Sequence, residues 1–385
     1  MDKKFVMGIA AMAALTLVSC SSDDLDSFSD NSSKNEAISF DGYLGRSAVA
    51  VNGTRGSVET KETLKTNGFA VFGKYTPTEG QPSDFFVNQK VTYSTTTSKW
   101  TYTPLRYWPT NGKIDFLAYA PHKEGQELKA NTTTFDFTVA PEAANQIDLL
   151  WANATGQITG KFEGTTKEKV KFLFKHALSR LGYTVKLSGN YNSSDATFTL
   201  KKITLAGSPD ETKNAFYKKG TIDLSKTDTK ENLSMTNNTK GLWTATTSAD
   251  NKQNFPWFDG SYIVKNSDPK HPTNSADEDY SKKDYLFVIP QDFSQAKTEG
   301  HDVDELYVIV EYDVTYKSGT PATTITNKVY KKLPIKFEQG KAYMLNLTIG
   351  LPIEFDIDVD TVSGVEDWDE QPGTDIDSWD DISRK

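Results

Sequence analysis

The sequence predicts an all-β protein built as two tandem antiparallel β-sandwich domains, and three observations lead there. Short segments alternate apolar and polar residues with a period of two. In "ELYVIVEYDVTY", Val308, Val310, Tyr312 and Val314 share an apolar face, while Tyr307, Ile309, Glu311 and Asp313 share the other. Aromatic residues make up 12% of the chain and Thr is plentiful, whereas no window carries a convincing helical stripe longer than about three turns. Polar segments bearing Gly or Pro, such as "TPTEGQPSD" and "GSPDET", punctuate the strands as turns. A chain of 385 residues is too long for one small core, hence two domains. No cysteine follows position 20, so packing and strand pairing must hold these domains without disulfides.

Taken in order, the chain opens with Lys3 and Lys4 ahead of a mainly apolar run from Phe5 to Val18, then small and polar residues. That is the layout of a secretory signal peptide over residues 1–19, too short for a membrane span. Leu17-Val18-Ser19-Cys20 resembles the lipobox of bacterial lipoproteins, which implies lipid attachment through the Cys20 thiol and an outer-membrane anchor. A plain signal peptide with an incidental cysteine is the alternative. Residues 20–35 are rich in Ser, Asp and Asn with almost nothing to bury, and are expected to form a disordered tether.

The N-terminal domain is expected over residues 36–168, with strands at "AISFDGYLG" (Ile38, Phe40), "GFAVFGKYT" (Phe69, Val71) and "KIDFLAYAP" (Ile114, Phe116, Ala118). The polar, Gly/Thr-rich "TGQITGKFEGTTKE" marks a boundary near residue 168. The C-terminal domain, residues 169–368, runs from "FLFKHALSRLGYTVKL", ambiguous at its start, to "KAYMLNLTIGL" and beyond. An acidic tail, residues 369–385, closes the chain. The net charge of −9 belongs to this end: Ala342 to Ser383 holds twelve acids and no Lys or Arg, leaving 43 basic against 40 acidic residues elsewhere. No global field would recruit nucleic acid.

Chemistry-bearing motifs are sparse. The four histidines, His122, His176, His271 and His301, lack metal-ligand spacing, and nucleophile-elbow, phosphate-loop and H-E-x-x-H signatures are absent. No enzyme activity and no cofactor are expected. "DIDVD", Asp356 to Asp360, opens like a calcium loop but has Thr361 where the sharp turn needs Gly, and reads better as a strand with one acidic face. Trp100, Tyr102, Tyr107, Trp108 and Tyr119 suit either a sandwich core or a platform stacking on sugar rings. Exposure of Trp100, Trp108, Trp243 and Trp257 on one face would favour a lipid-anchored glycan-binding protein.

"RYWPTNGKIDFLAYAP", "FKHALSRLGYTV", "LFVIPQ" and "GKAYMLNLTIGL", in that order behind a lipobox, resemble the fimbrillin family of Bacteroidia, the type V pilins and their accessory subunits. The resemblance implies two transthyretin-like β-sandwich domains, surface export as a lipoprotein, and residence in a fimbrium. It further implies cleavage after an arginine in the first strand region, which frees a groove for a strand from another fimbrial subunit. Arg55, flanked by Gly53, Thr54, Gly56 and Ser57, looks like the processing position, with Arg46 in "YLGRSA" the alternative. The donor strand is expected after Leu351, with Val362, Val365 and Trp368 as candidate anchors. An ordinary terminal strand followed by a disordered acidic tail is equally open. Contact with surface glycans or proteins would belong to adhesion.

Overall fold

The computed structural model describes residues 36–44, 58–158, 169–189, 191, 195–226, 242–245, 249–265, 285–296, 303–350 and 355–362. These residues form an all-β fold. Seven strands make one sheet in the order β1 (Phe40–Leu44), β8 (Val170–His176), β7 (Leu150–Ile158), β5 (Lys113–Ala120), β2 (Phe69–Thr76), β3 (Ser83–Ser94) and β4 (Lys99–Thr101). Two four-stranded sheets follow. One orders β16 (Leu286–Val288), β9 (Ser179–Leu187), β21 (Ala342–Ile349) and β22 (Phe355–Val362); the other orders β15 (Phe255–Val264), β10 (Ala196–Ala206), β18 (Tyr307–Tyr316) and β19 (Thr323–Lys332). A three-stranded sheet of β13 (Trp243–Ala245), β12 (Lys219–Asp223) and β6 (Thr134–Thr138) draws on both halves of the chain. The pairs β11 (Phe216–Tyr217) with β14 (Lys252–Gln253) and β17 (Gln291–Asp292) with β20 (Lys336–Phe337) complete the pairing.

The antiparallel pairing that the sequence predicts is not universal: β1 runs parallel to β8, and β9 parallel to β21. Partners so far apart in sequence have the long connection that a parallel pair requires. The one α-helix among the described residues, α1 (Lys61–Asn67), is short. Thr60 and Thr63 cap its start reciprocally, and Gly68 ends it at φ 71°, donating its N–H to the Leu64 carbonyl.

Two apolar cores organise the sheets. The first gathers Phe40, Leu44, Phe69, Val71, Phe86, Trp108, Phe116, Phe172 and Phe174 against one face of the seven-stranded sheet. The second takes the other face, through Phe72, Tyr119 and Trp151, and continues between the two four-stranded sheets. There Tyr183 meets Trp257 at 4.7 Å between ring centroids, and the Tyr312 hydroxyl donates to the Gly350 carbonyl. Residues 69–73 of β2, 116–120 of β5 and 150–152 of β7 are therefore buried on both faces, which explains near-continuous apolar runs such as "FLAYA". In β18 the expected apolar face is buried, but Ile309 on the opposite face is also only 1% exposed.

Strand β8 begins just past the boundary expected near residue 168, yet pairs with β7 and β1. Sheet membership changes after it, at Ala177 and Leu178. Hydrogen bonds tie the halves together. The Asn153 amide donates to the carbonyls of Leu224 and Lys226, and the Gln253 amide to that of Val139.

Candidate functional site

The feature that the sequence singles out most clearly is the first strand, and the structure builds a slot around it. Residues 36–44 make backbone bonds in two directions. Ile38 N–H donates to the Arg106 carbonyl at 2.8 Å and Trp108 N–H to that of Glu36 at 2.9 Å; Val170 N–H donates to that of Ser39 at 2.9 Å. The Tyr102 hydroxyl donates to the Ile38 carbonyl at 2.8 Å. Beyond these, β1 lies in register with β8, from Phe40 opposite Val170 to Leu44 opposite Phe174. Period-two alternation turns Phe40, Gly42 and Leu44 inward and Asp41 and Tyr43 outward.

Phe40, 2% exposed, is the centre of the slot. Its ring meets those of Tyr102, Phe86, Phe116 and Phe172 at centroid distances of 5.3, 5.5, 5.5 and 5.8 Å. Aromatic contacts at this spacing add to the area term, and full burial of one such side chain contributes about 1.5–3 kcal/mol. Gly42 is required by close approach: an added Cβ would lie 2.9 Å from Phe69 Cε1 and 3.4 Å from Phe174 Cε2. Gly42→Val is therefore expected to loosen β1 and lower stability by about 1–3 kcal/mol in denaturant unfolding. A neutral result would mean the ring floor yields.

Outside the slot the faces are chemically distinct. Asp41 is in register with Lys171, and Tyr43, 44% exposed, with Leu173, 52% exposed. The Tyr43 hydroxyl donates to Asp41 Oδ2 at 2.7 Å; that bond first, then burial and the Asp41 charge, raises the phenol's pKa.

A buried polar cluster lies beside the far end of β8. Glu59 N–H donates to Asp148 Oδ2 at 2.8 Å, and His176 Nδ1 lies 2.9 Å from Asp148 Oδ1. The Thr63 hydroxyl and the Asn67 amide donate to the Glu59 carboxylate at 2.9 and 2.6 Å. Burial, and then repulsion from Asp148, pushes the Glu59 carboxyl up to about 7. The cluster pins the start of α1 to the residue that ends the receiving strand.

Cys20, Arg46, Arg55, Val365 and Trp368 lie outside the described residues, as do the leader, tether and tail. Val362 ends β22, opposite Ala342 in its own sheet. Asp356 to Asp360 lie within that strand, and among the described residues no three His, Cys, Asp or Glu side chains gather as a metal site would need. Trp108, Trp243 and Trp257 are 3%, 1% and 5% exposed, and Trp100 packs on Phe69 and Tyr93, so the four make no open platform. The sequence reading missed Glu59 and Asp148, whose neighbours are too polar or too ordinary to announce burial. It also missed Lys171 as the partner of β1, since register across 130 residues leaves no local mark.

A family model described as fimbrillin-like matches residues 54–368 of the chain. The sequence is 27% identical over 401 aligned residues to the fimbrium subunit Fim1C of Phocaeicola vulgatus, across 96% of this chain and 97% of that protein. The crystal structure of a fimbrial protein from Bacteroides vulgatus shares the fold with a TM-score of 0.57. The match has 21% identity and covers 85% of this chain and 99% of that one.

Proposed function

The chain belongs to the fimbrillin-like family, and from that premise we propose that it is a structural or accessory subunit of a cell-surface fimbrium that assembles by β-strand exchange. The precursor travels as an outer-membrane lipoprotein held through Cys20. Cleavage after Arg55, with Arg46 as the alternative, then releases β1, and a strand from another fimbrial subunit enters the slot. The single observation that carries this reading is the position of β1. Its inward residues Ile38, Phe40 and Leu44 are buried, and all of its bonds to Arg106, Trp108 and Val170 lie N-terminal to both arginines. One cut therefore turns a tethered strand into a separate peptide held without covalent bonds. Its departure leaves unpaired β8 backbone and an aromatic trough, and an incoming strand satisfies both.

The domain plan that goes with this function is two tandem transthyretin-like sandwiches, the N-terminal one carrying the slot. Its support is the pair of separate cores and the two facing four-stranded sheets. The strand exchanged outward comes from the C-terminal region, and adhesion follows from display on the filament.

N-terminal sequencing of protein purified from the cell surface tests the processing step. A start at Gly56, or at Ser47 for the alternative cut, is the expected result. A blocked, lipidated Cys20 on assembled subunits would overturn it.

A further inference from the structure

We propose that the polar cleft between β3 and the turn that follows β5 binds a neutral sugar, the terminal pyranose of a surface glycan. The inference uses no step of strand exchange, and it gives the adhesive role a place in the fold. The cleft measures about 720 Å³, and its lining includes Val87, Asn88 and Lys90 of β3 and His122, Glu124 and Glu127 of the turn. That size falls within the range of about 300–1,000 Å³ for small-molecule sites. Its shape is fixed before any ligand arrives. Val71 pairs with Gln89 but Gly73 with Phe86, so two residues, Val87 and Asn88, stand opposite the single Phe72 as a bulge. Asn88 takes φ 45°, in the left-handed region that Asn tolerates better than most residues. Its side chain then pins the turn to the strand. The Asn88 amide donates to the Lys123 carbonyl at 2.9 Å, and the buried Tyr119 hydroxyl donates to Asn88 Oδ1 at 2.8 Å while accepting from Lys123 N–H at 3.2 Å.

The chemistry of the lining selects the ligand class. Among the described residues, the side chains of Lys90, Glu124 and Glu127 make no ion pair and no hydrogen bond, so all three charges are open to a ligand. Burial first, and then the Lys90 charge, lowers the pKa of His122, which is therefore neutral at pH 7. The cleft thus offers one cation, two anions and an imidazole that can donate or accept. Carboxylates accept from sugar hydroxyls, and the Lys90 ammonium donates to sugar oxygens. Val87, 62% exposed, supplies an apolar spot for the C–H face of a ring. An acidic sugar meets two carboxylates against one ammonium, and a basic peptide meets Lys90. The bulge at Asn88 also interrupts the regular ladder that an added peptide strand needs.

Saturation-transfer NMR on the uncut, full-length chain tests the assignment. Glucose, galactose, mannose and N-acetylglucosamine are the neutral probes, with N-acetylneuraminic acid as the acidic sugar and trilysine as the basic peptide. At least one neutral sugar is expected to bind saturably at millimolar concentration. Lys90→Ala and Glu127→Ala, both at exposed positions, should each weaken that binding about tenfold, the loss expected for one charge-assisted hydrogen bond. Tyr43→Ala, outside the cleft, should leave it unchanged. No binding of any neutral sugar, binding of N-acetylneuraminic acid or trilysine alone, or neutral-sugar binding that either cleft variant leaves intact overturns the inference. Polymer growth is expected to be normal in both cleft variants, so such a failure leaves the fimbrial reading standing.

Discussion

Replacing Phe40 with alanine is expected to lower the stability of the uncut precursor by about 3–5 kcal/mol, the range for removing a fully buried aromatic side chain. The expectation follows from geometry. The ring is 2% exposed and its four aromatic neighbours come from β3, β5, β8 and the segment before β5, so no single element can move in to fill the void. Denaturant unfolding of the uncut chain measures the loss, and Tyr43→Ala, on the solvent face of the same strand, serves as the control with a small effect. The same substitution should leave the β1-free, assembled subunit unchanged, because the altered residue has been discarded. An equal loss in both forms would mean that Phe40 is a permanent part of the core.

Glu59 governs the second large effect. Its folded-state pKa, pushed up to about 7 mainly by burial and then by Asp148, stands above the value of 4.5 for an unperturbed glutamate. The folded state therefore holds the proton more tightly than the unfolded chain does. The favourable contribution is fully present below about pH 4.5 and is lost as pH rises through 7, a change on the order of 3 kcal/mol. Glu59→Gln mimics the protonated form, keeping an acceptor for Asn67 and a donor toward Thr63. It should flatten the dependence of melting temperature on pH between 5 and 8 and raise the melting temperature at pH 8. A variant that melts lower than the parent at pH 8 would show that the ionised carboxylate is the stabilising form.

Much of this fold is written in local pattern. The alternation in "ISFDGYL" marks which residues of β1 point inward, and the continuous run "FLAYA" reports a strand covered on both faces. Pairing between distant segments leaves no such trace. "KVKFLFKH" follows a polar link and reads as the opening of a second domain, yet it is the strand on which β1 rests. The three-stranded sheet of β6, β12 and β13 joins segments from both halves for the same reason. Helix α1 is only seven residues long, too short to raise a stripe, although the Thr60, Thr63 and Gly68 caps are legible once the helix is known. The slot was half legible: Phe40 and the arginines beyond it can be read from sequence, whereas the Lys171 strip and the ring floor under Gly42 emerge only when β8, β2 and β1 are brought together.

The central claim is that cutting the chain frees the slot that β1 fills. Mass spectrometry of polymers grown from arginine-cleaved precursor tests it most directly. The account predicts polymers that have lost the peptide containing residues 36–44, and no polymers from a chain in which Arg46 and Arg55 are both replaced by alanine. Polymers that retain that peptide in one-to-one ratio with the subunit, or that grow from the uncleavable chain, would contradict it.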